Sequence, residues 1–519
     1  MNARLYQCKS LHHRRFPTLY RGQDQIGERM SDRDFTADGD WNALYIDGEW
    51  VEAGDRDELE VTNPATQEPI TTVPAGTEED VNRAYEAAAE AQTEWAAKPA
   101  EERVDVIKNA LGLLDDHRDE ILESLAVESG SANAKAFAEW QTAQGMCHHA
   151  TGLADQLGTK EQDSFIPGKE NEIERIPAGV VGVISPWNFP FNLSMRAVAP
   201  ALALGNAVVL KPASPTPVTG GLLLAKIFDE AGLPNGLLNV VTGHGSDIGD
   251  RMAEHPELDV MAFTGSTEIG KRVASKAAEN LALPAMELGG NNPFVVTDDA
   301  DIDAAIDSAV FGSFLHQGQI CISINRHIVH EDVYDEYVEK LTERAAGLPI
   351  GDPTDRDNVI GPIIDEGQRD QMLDYVESTV EAGATLETGG DHDGLFVEPT
   401  VLSDATNDMA AACNEHFGPI APVIPYSDDE EAIEMANDTE YGLAGAVHAG
   451  DMDRARELAD SIEAGMVHIN DQPINEEPNV PFGGVKESGI GRYDGEEILH
   501  ELTQTKWVSV QEEKRQYPF

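Results

Sequence analysis

Between residues 180 and 265 the apolar positions fall into two alternating kinds of run. VVGVIS (180–185), AVVLKP (207–212), LLNVVTG (237–243) and DVMAFTG (259–265) are short and apolar on nearly every position. That is the pattern of parallel strands covered on both faces. Longer stretches with helical spacing separate them: NLSMRAVAPALALGN (192–206), ending at Gly205, TGGLLLAKIFDEAG (219–232), stopped by Gly232, and STEIGKRVASKAAEN (266–280). Strand and helix in alternation predict an α/β sheet with right-handed crossovers. Ligands in such folds sit at the carboxyl ends of the strands, so the residues directly after each strand are the place to search.

Composition narrows the partners. A chain of 519 residues implies roughly three domains or lobes, and no window offers the run of about 20 apolar residues that a membrane span requires. Asp and Glu number 95 against 36 Lys and Arg, a formal net charge of -59. Such a surface repels nucleic acid and anionic membranes and makes neither a partner. Runs such as DDEEA (428–432) read as solvated faces, and the excess predicts a salt-adapted, halophilic protein whose self-repulsion is screened by high ionic strength. Four cysteines, Cys8, Cys147, Cys321 and Cys413, are scattered without paired spacing. A disulfide framework does not follow from them, and a reducing, cytoplasmic setting does. Residues 1–29 break the pattern with six Lys/Arg and two Asp/Glu. Lacking an apolar segment, they are no secretory peptide. They read as a disordered appendage or as sequence upstream of a start at Met30.

Three elements lie at the predicted strand ends. SPWNFP (185–190) forms a rigid loop in which proline blocks helix continuation. KPAS (211–214) puts Lys211 at a strand terminus. GSTEIG (265–270) begins a helix whose first N–H groups favour a diphosphate, although without three glycines in GxGxxG spacing it reads by itself as an ordinary turn and cap. A fourth element, MELGGNNP (286–293), sets Glu287 before two glycines, a flexible turn that would let the carboxylate swing. Glu287 alone is either a salt-bridged strand end or a general base. Cys321, in FLHQGQICISINR (314–326), is either buried filler or a nucleophile.

Order and spacing decide among these. PWNFP, KPAS, FTGS, ELGG, GQIC, EHFGP (415–419) and PFGGVKESGIGR (481–492) occur in succession, and together they resemble the aldehyde dehydrogenase superfamily from Tyr45 to Val510. Glu287 and Cys321 stand 34 residues apart, as in that family. The resemblance implies an α/β, aldehyde dehydrogenase-like fold: a Rossmann-type cofactor domain (41–152 and 178–288), an α/β catalytic domain (289–486) and a β oligomerisation arm (153–177 and 487–519), after an N-terminal extension (1–40). Homodimers or homotetramers are then expected. It implies Cys321 as the nucleophile forming a thiohemiacetal and then an acyl-thioester, Asn188 as an oxyanion donor and Glu287 as the base for hydrolysis. Cofactor contacts carried over in the same way are Trp187, Lys211, Ser214, Gly265, Ser266, Gly270, Glu415 and Phe417. No metal is implied. Cys413 with His416, and Cys147-His148-His149, have ligand-like spacing but lack a second pair, so packing accounts for them better than zinc does.

Departures from the family pattern refine the expectation. Ser214 stands where many NAD-preferring members carry Glu. A serine does not repel a 2′-phosphate and Lys211 attracts one, so NADP is expected to be accepted together with NAD. Asn414 stands where a second Glu is usual. The stretches around Asn188 and Cys321 are most similar to the benzaldehyde and vanillin dehydrogenase branch, which implies an aromatic aldehyde as substrate, with Phe191, Phe311 and Phe314 as candidate ring contacts or core residues. Succinic semialdehyde is the rival, with Arg196 facing its carboxylate. That branch uses a second arginine where this chain has Leu315, which weakens the case. A catalytically silent binding protein would have lost the cysteine, glutamate or asparagine, and all three are present. A CoA-acylating enzyme would lack Glu287.

Overall fold

The computed structural model describes residues 35–512 and 514–519. The expectations for residues 1–34, including Cys8 and the basic HHRR segment, lie outside the described residues. Residues 35–40, assigned above to the extension, are packed: Phe35 stacks on His117 with ring centroids 3.6 Å apart, and the Ala37 N–H donates to Ser124 Oγ. The boundary moves to residue 34 because Phe35 and Ala37 are apolar and have a hydrophobic cluster to join.

All four predicted strands form, as Val180–Ile184, Ala207–Lys211, Leu238–Val240 and Val260–Thr264. With Leu283–Glu287 they make a parallel array, ordered in space 238–240, 207–211, 180–184, 260–264, 283–287. Helices cover both faces, which is why these strands could be read from unbroken apolar runs. Antiparallel strands Ala43–Ile46 and Glu49–Glu52 close one edge, and Gly489–Ile490 pairs with Met286 and Glu287 at the other. That last pairing, and the packing of Tyr493, Ile498, Leu499 and Leu502 in the same core, corrects the assignment of all of 487–519 to the arm. Among the described residues of that segment, Thr503–Gln511 pairs with Lys169–Pro177, which pairs in turn with Gly158–Asp163.

A second sheet of seven strands, ordered 385–388, 400–403, 420–426, 324–330, 292–296, 444–448, 466–469, is parallel except for its first member. It carries the segment that contains Cys321. Helix Ile302–Phe314 ends in a turn where His316, Gln317 and Gly318 are all left-handed (φ 50°, 57° and 71°). The chain then reaches Cys321 and enters strand Ile324–His330. A Cβ on Gly318 would lie 2.1 Å from the Gly418 carbonyl oxygen, so only glycine fits this position.

Candidate active site

The two sheets deliver their loops to one cleft of about 430 Å³. Trp187, Asn188, Gly265, Ser266, Glu287, Cys321, Glu415 and Phe417 all line it. Asn188 sits in the loop between strand Val180–Ile184 and helix Pro190–Ala203, where Pro190 occupies the first helical turn. Its Nδ2 donates to the Gln319 carbonyl (2.8 Å), which ties the amide to the Cys321 loop and leaves a second N–H. The Cys321 backbone is held by Asn292, whose Nδ2 donates to the carbonyls of Cys321 (2.9 Å) and Ser323 (2.7 Å).

The two glycines after Glu287 serve a purpose different from the expected flexibility. Neither has positive φ. Instead, a Cβ on Gly289 would stand 2.3 Å from Glu415 Oε2, and one on Gly290 would stand 2.4 Å from the Cys321 carbonyl oxygen. They allow close approach, and Glu287 itself is held at the end of a paired strand between Thr264 and Gly489.

Burial dominates the electrostatics. Glu287 is buried with both carboxylate oxygens unpartnered among the described residues. Burial pushes its pKa up to about 8, against the pull of Arg196 and Arg492. Glu415 accepts from the Gly290 N–H (3.1 Å) and is pushed up by burial to about 7. The Cys321 thiol is raised as well, by burial first and then by the carboxylates of Glu287 and Glu415. Phe417 adopts a left-handed backbone (φ 49°), strain of about 1–3 kcal/mol for a bulky residue. Its ring packs edge-on against Trp187 at 5.5 Å.

Three of the expected cofactor residues do not line the cleft. Lys211 is buried, donates from Nζ to the Pro212 carbonyl (3.0 Å), and is pushed down by burial to about 8. Ser214 Oγ donates to the Gly243 carbonyl (3.1 Å). Gly270 makes room for Leu288, whose Cδ2 would lie 2.2 Å from an added Cβ. The helix Thr267–Glu279 nevertheless opens onto the cleft through Gly265, Ser266, Thr267 and Glu268. Its first N–H groups have no intrahelical acceptor and suit a diphosphate.

Substrate-side expectations change more. Phe191 and Phe314 belong to the cores and Phe311 is exposed on its helix, so none lines the cleft. Cys321 instead shares an apolar cluster with Phe189, Phe482, Leu315, Ile320 and Ile474. Arg196 is already engaged: its guanidinium lies 4.8 Å from the Phe482 ring centre and 4.6 Å from that of Tyr493, and Nη1 pairs with Glu476 at 3.1 Å. Gln371, Tyr375 and Tyr441 line the cleft without any motif that would announce them.

Residues 50–508 match the family model described as "Aldehyde dehydrogenase family". The chain is 44% identical over 478 residues to benzaldehyde dehydrogenase YfmT of Bacillus subtilis, covering 92% of this chain and 99% of that protein. It is 47% identical over 468 residues to vanillin dehydrogenase of Corynebacterium glutamicum, covering 90% and 96%. Among solved structures, betaine aldehyde dehydrogenase from Staphylococcus aureus in complex with NAD+ superposes with a TM-score of 0.89 at 36% identity, covering 92% of this chain and 95% of that one.

Proposed function

The chain belongs to the aldehyde dehydrogenase family, and on that premise we propose that it oxidises an aromatic aldehyde to the carboxylic acid through Cys321. The observation that carries this reading is the convergence of Cys321, Glu287 and Asn188 on one cleft beside a helix N-terminus. The same convergence argues against a silent scaffold.

Attack on the aldehyde carbon forms a carbon–sulfur bond and places negative charge on the former carbonyl oxygen, where the free Asn188 N–H donates. A donor of this kind supplies about 3 kcal/mol in the transition state. Because burial holds the thiol protonated, attack requires a base, and Glu287, at about 8, is matched to that task near neutral pH. The nicotinamide cofactor, when bound, supplies the hydride acceptor. Once the thiol proton has passed from Glu287 to solvent in the cleft, the same carboxylate takes a proton from the water that attacks the acyl-thioester, and the Cys321 sulfur departs with the bonding pair. Glycines 289 and 290 keep that base, Glu415 and the nucleophile's backbone within reach of one another.

The cleft residues suit the nicotinamide and diphosphate portions, with Ser266 at the helix start and Glu415, Phe417 and Trp187 lining the same cleft. For the choice between NAD and NADP, the support is the sequence position of Ser214, where a glutamate would repel a 2′-phosphate and a serine does not. Succinic semialdehyde loses its remaining support, since Leu315 is apolar and Arg196 is paired with Glu476. Exposed Ile176 and Trp507 on the three-stranded sheet, with exposed Phe165 in the turn between two of its strands, support a homodimer or homotetramer built through that arm. Surface charge supports salt adaptation, and the free Cys147, Cys321 and Cys413 support a reducing, cytoplasmic setting. No helix among the described residues is long and apolar enough to cross a membrane.

The test is nicotinamide reduction in high-salt buffer with benzaldehyde, vanillin and succinic semialdehyde, each under NAD and NADP. Turnover of the aromatic aldehydes with either cofactor is expected. A clear preference for succinic semialdehyde would overturn the substrate assignment.

A further inference from the structure

Cys321 packs on an apolar cluster to which Phe189, Ile474 and Phe482 also belong. The Arg196 guanidinium lies against the Phe482 ring. A free guanidinium on a ring of the cluster that holds Cys321 would attract aldehydes that carry an anionic group, because charge-assisted pairs are roughly twice as strong as neutral ones. Glu476 stands in the way. Its Oε1 pairs with Arg196 Nη1 at 3.1 Å, and its Oε2 accepts from Asn192 Nδ2 at 2.7 Å. Asn192 and Arg196 lie four residues apart on the helix Pro190–Ala203, so both reach the same carboxylate. The Arg196 side chain is 1% exposed and that of Glu476 is 16%, so a ligand arriving from outside meets the carboxylate and not the guanidinium. The field of Glu476 also reaches both Cys321 and Glu287, which places it within electrostatic range of the chemistry.

We infer that Glu476 is a specificity-determining residue that cancels the charge of Arg196 and makes the substrate pocket reject anionic aldehydes. The inference rests on the aldehyde-oxidising reading above. An arginine at this position on its own points towards a carboxylate substrate; the arginine and glutamate together point to a neutral one. The pocket discriminates by a repulsive element as well as by apolar contact.

Three ring aldehydes of matched shape test this in the full-length protein: 4-formylbenzoate, its methyl ester, and 4-(trimethylammonio)benzaldehyde. Wild type is expected to favour the ester over the carboxylate by roughly tenfold or more in kcat/KM, an electrostatic discrimination. In Glu476→Gln the carboxylate should gain roughly tenfold, chiefly through KM, while the trimethylammonium compound loses. The amide can still accept from Arg196, and Asn192, whose Oδ1 is unpartnered among the described residues, can turn to accept from it. Glu476→Asp, which keeps the charge, should retain the rejection. Parallel changes on all three aldehydes would mean a structural role only and would overturn the inference. Equal wild-type kcat/KM for carboxylate and ester would overturn it too, even if E476Q failed to fold. Wild-type turnover of none of the three would instead sink the aromatic reading and take this inference with it.

Discussion

At the scale of single residues, the proposed chemistry turns on Glu287, a carboxyl buried without hydrogen-bond partners among the described residues. A carboxylate with a pKa of about 8 is neutral below that pH and becomes a proton acceptor only as pH rises through it. The deacylation rate should therefore climb with a one-proton slope and reach half its maximum near pH 8. In Glu287→Gln the slope should vanish and the rate should fall by about 10²–10⁴-fold, with acyl-enzyme accumulating. Rapid-quench detection of the acyl-enzyme across pH checks both statements, and an unchanged profile would mean that another base serves. Cys321→Ala should remove turnover while leaving NAD or NADP binding measurable by calorimetry. The residues proposed as nucleophile, base and oxyanion donor are legible in the sequence because each sits in a short motif with fixed order. Glu476 is not. Its partner Arg196 lies 280 residues away along the chain, and nothing local distinguishes it from the neighbouring Glu477. The aromatic lining was misplaced for a related reason: Phe191 and Phe314 carry the right chemistry, but their helices turn them into the cores.

At the scale of elements, strands covered on both faces declare themselves as apolar runs, which made the parallel centre of the first sheet readable. Its edges were not readable. Gly489–Ile490 is two residues long, and a strand that short has no periodicity to detect. The left-handed turn before Cys321 was equally silent, since its first two residues, His316 and Gln317, are not the glycines that ordinarily mark such backbone. Gly318 closes that turn against the Gly418 carbonyl, so a methyl group there must displace the segment leading to Cys321. Gly318→Ala is expected to cost about 1–3 kcal/mol in stability from the left-handed backbone alone. Activity should fall by more than the folded fraction does, because the shifted segment also carries the Gln319 carbonyl that orients Asn188. Thermal unfolding and active-site titration on the same preparation separate the two losses. Equal losses would mean that the turn supports only the fold.

At the scale of the whole molecule, two electrostatic effects oppose each other when salt is added. Ion pairs are weakened: Arg454, for instance, reaches Asp298, Asp299 and Asp429, and Lys340 reaches Asp303 and Glu336. Such exposed pairs contribute only about 0–1 kcal/mol each. Self-repulsion is weakened as well, and with 95 acidic against 36 basic residues most carboxylates have no cation available to balance them. Repulsion summed over a net charge of -59 outweighs a modest set of surface pairs. Raising ionic strength from about 0.1 M to about 1 M shortens the Debye length from about 10 Å to about 3 Å, so charges beyond immediate neighbours cease to repel. The melting temperature is therefore expected to rise by several degrees in KCl. Sucrose, which acts by exclusion from the surface and not by screening, should give a smaller rise at equal osmolality. A melting temperature that fell with KCl would mean that the ion pairs dominate. One that rose equally in sucrose would mean that exclusion, and not the charge excess, sets the salt response.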